Sequence, residues 1–228
     1  MKRRSLQLSA IAIMGIILFI GGFFMMKKWN TPNTPAFQDE FTKQFLNAKA
    51  ETPEGFHLFE SWTHKYTMLY PEDYAIVYES YYRKKSKTSE VPNTENLYLE
   101  QMNVTYEQDK MLKGINLFLK PDGKVIIDSR LRSMLRKINA PENTEIEEYK
   151  DDGKIVYYAE NIDDYQTENN DINRYYYLYG LIVDNHSKQA LYFELEDTCF
   201  HINESDCNLD FDEEKQMGLK MMKSVEFN

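Results

Sequence analysis

Cysteine, glycine and histidine are scarce in this 228-residue chain, and each shortage removes a class of function. Two cysteines, Cys199 and Cys207, cannot build a four-thiolate zinc site or a disulfide-dense scaffold. The nine glycines form no phosphate-cradling loop, no dinucleotide fingerprint and no Gly-x-Ser-x-Gly elbow. Four histidines, His57, His64, His186 and His201, stand far apart and make no His-Glu-x-x-His pair. With no cysteine before position 199, there is no thiol near the N-terminus for lipid attachment. Basic charge is also in short supply, at 27 Lys and Arg against 37 Asp and Glu. All five charged side chains of residues 1–28 are basic, so the rest carries 22 basic against 37 acidic groups. Such a surface repels nucleic acid and anionic headgroups, and a nucleic-acid partner is not expected.

What is present begins with Leu8–Met26, LSAIAIMGIILFIGGFFMM, uncharged and with Ser9 as its one polar side chain. At about 1.5 Å per residue it covers roughly the 30 Å hydrocarbon core of a bilayer. It runs into Phe23-Phe24-Met25-Met26-Lys27-Lys28 without a small-x-small cleavage site, so an uncleaved anchor is expected in preference to a secretory signal. Lys2, Arg3 and Arg4 before it, against Lys27 and Lys28 after it, orient the N-terminus inside and the bulk outside the cytoplasm. The expected division is a cytoplasmic tail over 1–7, an anchor over 8–26, a linker over 27–36 and one extracytoplasmic α+β domain over 37–228. Two prolines keep the linker extended, and its Trp29 suits a bilayer surface.

Phe37, Phe41 and Phe45 at i, i+4 and i+8 predict a helix after Pro35. From Gly55 the period drops to two. Strands are expected at 56–62, 66–70, 75–82, 96–105 and 111–119, with Pro71 ending the second. Leu131, Met134, Leu135 and Ile138 mark a helix capped at Asp128 or Ser129. Residues 144–149 and 154–160 read as a hairpin, 161–173 as a polar loop, and 174–183 with 189–196 as a strand pair. A last helix runs from about Asp212 to Ser224, its buried stripe being Met217, Met221, Met222 and Val225. The fold expected is an antiparallel sheet flanked by helices, and the 17 tyrosines suit strands with one buried and one wet face.

Tyr66–Tyr74, YTMLYPEDY, resembles the strand-Tyr-Pro-x-x-aromatic opening of PsbP-like domains. The closing strand pair and a helix ending Met221-Met222-Lys223-Ser224-Val225-Glu226-Phe227 are similar to that family's ending. Tyr74 stands where the opening motif usually has tryptophan. The resemblance implies an antiparallel sheet flanked by helices in an accessory or binding domain, often tethered outside a bacterial membrane. It carries no active site, because the matching motifs are structural.

Three constellations merit attention. Cys199 and Cys207 flank seven residues and, outside the cytoplasm, read as a disulfide; a metal site adding His201 is the poorer reading, for lack of a fourth ligand. Asp206, Asn208, Asp210 and Asp212 alternate as in a calcium loop, but Phe211 replaces the turn glycine and Met217 the bidentate glutamate, so an acidic helix entrance explains them better. Arg130, Arg132, Arg136 and Lys137 form an electropositive helix face, facing either an acidic partner or carboxylates of the domain's own sheet. No cofactor or resident metal is expected. The function expected is a membrane-anchored accessory domain that binds a protein partner or envelope ligand without chemistry. The alternatives are a cell-envelope hydrolase and a secreted form released by signal cleavage.

Overall fold

The computed structural model describes residues 32–85, 98–108, 111–120, 127–141, 143–151, 153–168, 171–187, 189–200 and 209–228. The expected anchor, 8–26, lies outside them. Among the described residues no helix is long and apolar enough to cross a membrane.

Two antiparallel sheets replace the single sheet expected. The smaller has the order β1-β2-β3-β12, from β1 (Leu46–Asn47), β2 (Phe56–Glu60), β3 (Tyr66–Pro71) and β12 (Glu226–Phe227). The larger runs β4-β6-β7-β11-β10-β9-β8. Its members are β4 (Ala75–Ile76), β6 (Tyr98–Gln108), β7 (Met111–Lys120), β8 (Glu147–Lys150), β9 (Lys154–Gln166), β10 (Ile172–Asp184) and β11 (Ala190–Cys199). A further strand, β5 (Tyr82–Lys85), also pairs with β6. Both ends of the PsbP-like resemblance meet here, since Phe227 of β12 is the register partner of Tyr66.

Period-two alternation decides which side of the large sheet each residue takes. On one side lie Ile115, Leu117 and Leu119 of β7, Leu191, Phe193 and Leu195 of β11, and Leu178 and Ile182 of β10, all buried. The helix α3 (Phe211–Lys223) and the small sheet's Phe59, Tyr66, Met68 and Tyr70 close this core. On the other side α2 (Ile127–Lys137) sets Leu131 against Leu181, Val183 and Ala190. Helix α3 lies close because two glycines make room. A Cβ on Gly218 would stand 2.5 Å from Leu178 Cδ2, and one on Gly180 would run into Met222 Sδ.

Three expectations fail for physical reasons. The phenylalanine helix is only the turn α1 (Pro35–Gln38), followed by a 3-10 turn at Thr42–Phe45. Asp39 breaks it, because its Oδ1 accepts from Thr42 N–H at 2.7 Å and Thr42 Oγ1 at 2.6 Å. The rings still cluster, Phe41 and Phe45 lying 5.2 Å apart. The strand expected over 75–82 is split by a 3-10 turn at Tyr78–Ser80, where Tyr78 packs edge-on against Phe41 at 4.9 Å. The polar loop expected over 161–173 is mostly strand. Arg174 and Asp164 are register partners joined by two 2.7 Å hydrogen bonds, and Thr167 N–H closes the hairpin on Asp171 O at 2.8 Å.

Candidate functional site

At one end of the core-facing side of the large sheet the apolar rows give way to a polar one. Asp197 of β11 is the register partner of both Lys113 of β7 and Tyr176 of β10. Above them lies the first turn of α3. Asp210 caps that helix, its Oδ1 accepting from the N–H groups of Asp212 at 3.0 Å and Glu213 at 3.1 Å. The cap brings Glu214 onto the buried face, one turn before Gly218 and two before Met222.

Glu214 Oε1 accepts from the Lys113 ammonium. Asp197 is 0 % exposed and Glu214 7 %. Counted as carboxylates, both Asp197 oxygens and Glu214 Oε2 lack a hydrogen-bond donor. One proton resolves this. Burial first, and then the Glu214 charge, push the Asp197 carboxyl up to about 9, so at neutral pH it is protonated and bonds to Glu214. Two buried acids, one half-buried lysine and one proton thus make a neutral cluster.

The network continues sideways. Tyr176 OH donates to Glu160 at 3.0 Å, and Lys215 donates to Glu160 at 2.7 Å and Glu147 at 3.4 Å. Tyr158 OH donates to Glu147 at 2.6 Å, a bond that holds this carboxyl below its usual range. Phe211 stacks on Tyr176 at 5.3 Å, and beside them opens a hollow of about 820 Å³.

On the other flank of α3 lies a groove of about 620 Å³, bounded by the Gly55–Phe56 turn and the Pro71–Tyr74 corner. Phe56, Tyr74 and Met217 give it an apolar lining. Glu72 and Asp73 stand on one lip, Asp212 and Glu213 on the other, and Lys113 joins it to the buried acids. Lys220 Nζ sits 4.2 Å from the Phe56 ring centroid, so that ring already holds an ammonium. The chain reaches the domain beside this lip, where Ala36 N–H donates to Glu72 O at 2.9 Å.

The residues singled out from sequence do not converge here, apart from Asp210 and Asp212. Asp206, Asn208, His201 and Cys207 lie outside the described residues. Asp210 is occupied as the cap and Asp212 is exposed on the groove lip. Among the described residues no three His, Cys, Asp or Glu side chains are grouped to hold a metal. Cys199 is buried at the end of β11, and no cysteine among the described residues is free. Of the basic face, Lys137 pairs with Glu194 of β11 at 2.6 Å while Arg130, Arg132 and Arg136 are exposed. Burial lowers the His57 pKa, and its ring is hydrogen-bonded to Thr34 at 2.8 Å. The exposed His64 pairs with Glu60, and the exposed His186 with the buried Asp184.

Sequence reasoning missed Lys113, Asp197 and Glu214. A signal existed: Asp197 continues the inward series Leu191, Phe193, Leu195, and Glu214 sits on the same helix stripe as Gly218 and Met222.

A family model described as "Putative lipoprotein YvcA", YvcA_Mog1p, matches residues 32–226, which contain α1, α2, α3 and every strand of both sheets up to Glu226 of β12. The chain belongs to this family. The match does not confirm the PsbP-like resemblance, although Mog1/PsbP-like is a related fold. The description names a lipoprotein, which suggests membrane association and an extracytoplasmic accessory role. No curated protein matches the chain.

Proposed function

We propose that this YvcA_Mog1p member is a membrane-anchored, extracytoplasmic accessory domain that binds a protein partner or envelope ligand without chemistry. The observation that carries the reading is the groove between α3 and the Pro71–Tyr74 corner, open beside the point where the chain enters the domain. An anchored domain with a groove near its tether is suited to meet partners at the membrane surface. Lipid attachment, which the family description suggests, has no cysteine in residues 1–198 to use. The apolar stretch Leu8–Met26 serves as the anchor instead, with residues 1–7 inside, 27–36 as linker and the remainder outside. A Cys199–Cys207 bond closing the loop between β11 and α3 goes with that oxidising side of the membrane. A hydrolytic role for the buried carboxyl pair Asp197 and Glu214 is disfavoured by its enclosure: Asp197 presents no surface to a substrate.

Protease treatment of intact spheroplasts tests the placement. The domain should be digested from outside, and the untreated protein should stay in the membrane after an alkaline carbonate wash. Protection of the domain, or its release by the wash, would overturn the reading.

A further inference from the structure

We propose that the groove is a docking site for a basic peptide segment of a partner protein, taking lysine or arginine side chains between its acidic lips and an apolar side chain on its floor. This rests on the accessory-domain reading and gives its partner a chemistry.

Charge complementarity decides the occupant. Glu72 and Asp73 face Asp212 and Glu213 across the groove. Of its two lysines, Lys113 is neutralised by Glu214, and Lys220 is outnumbered by Glu72, Asp73, Asp210, Asp212 and Glu213. The free field at the mouth is therefore negative, and the apolar lining lowers the local dielectric around it. Cationic groups are drawn in, and nucleic acid and anionic phospholipid headgroups, which bring net negative charge, are turned away. A volume of about 620 Å³ accommodates a few side chains, more than a lone amine fills. Carboxylates on opposite lips can hold two cations with an apolar residue between them. That is a peptide pattern.

The test uses the full-length chain in phosphatidylcholine nanodiscs and a dye-labelled Lys-Leu-Lys-Lys-Leu-Lys peptide, read by fluorescence anisotropy against empty nanodiscs. The controls are Glu-Leu-Glu-Glu-Leu-Glu, which removes the charge match, and Lys-Ser-Lys-Lys-Ser-Lys, which removes the apolar anchor. The basic-apolar peptide should bind, the acidic one should not, and the serine version should bind at least fivefold more weakly. Asp73→Asn with Glu213→Gln should weaken the first peptide at least tenfold, as should Phe56→Ala, and added salt should weaken it further. Asp73→Asn alone, at an exposed corner, guards against misfolding and should still cost about threefold. Equal binding by the variants, or by the acidic peptide, would overturn the site. Crosslinking of the full-length chain in native membranes separates the two readings. A partner crosslinked away from Phe56 and Met217 sinks the groove and spares the accessory domain; a chain with no partner by either assay sinks both.

Discussion

Asp197 on β11 and Lys113 on β7 are register partners, yet Glu214 of α3 takes the Lys113 ammonium and both Asp197 oxygens are left without a donor. A helix carboxylate has come between a strand pair that would otherwise be a plain cross-strand ion pair. The arrangement holds only with a proton on Asp197, which ties the seat of α3 to pH.

The first prediction follows from that proton. Because Asp197 titrates near 9 folded and near 3.9 unfolded, the folded state binds the extra proton between these values. Its contribution to stability is full below about pH 4 and is lost as pH rises towards 9. Asp197→Asn, which keeps the donor without the charge, should stabilise the domain by about 1–3 kcal/mol at pH 7. The gain should grow from pH 4 to 9 and then level off. Urea unfolding of both proteins across that range measures it, and a gain independent of pH would refute the shared proton.

Gly180→Ala should destabilise the domain by about 1–3 kcal/mol, because the new Cβ runs into Met222 at a close-packed face. A lowered urea midpoint with an unchanged slope is the expected result. Neutral behaviour would show that α3 is free to lift from β10.

Thr42 is wholly buried, donates to Asp39 Oδ1 and accepts from Ile76 N–H at 2.8 Å. Thr42→Val keeps the shape but orphans that N–H, at a cost of about 1–3 kcal/mol. Amide exchange at Ile76 should speed up along with it, since this one hydroxyl ties the segment after α1 to β4.

The proposed Cys199–Cys207 bond closes a short loop, so its removal should cost somewhat under about 3 kcal/mol. Thermal melts with and without reductant, beside the Cys199→Ser, Cys207→Ser double variant, provide the measurement. A melt indifferent to reductant would argue against the bond.

Lys137→Met should change stability by less than about 1 kcal/mol, because its pair with Glu194 is largely exposed. Thermal melts in low and high salt would check this, the small loss fading with salt.

Much of the framework was readable along the chain. Alternation in 66–70, 111–119, 174–183 and 189–196 marks strands, because a sheet with a buried face demands period two. Met217, Met221, Met222 and Val225 mark the last helix for the same kind of reason, and Leu131, Met134 and Ile138 the basic one. The acidic balance, the apolar stretch 8–26 and the cysteine shortage are properties of composition and needed no coordinates.

Only the tertiary structure decided the rest. A short Asx contact at Asp39 overrode a helical phenylalanine pattern, and the Arg174–Asp164 pairing turned a polar stretch into strand. Both choices depend on which groups find partners, and helical spacing alone is blind to that. Lys113, Asp197 and Glu214 are far apart in sequence and ordinary in type. They become a site because β7, β11 and α3 bring them together out of water, where burial raises the cost of a charge and a proton settles the balance.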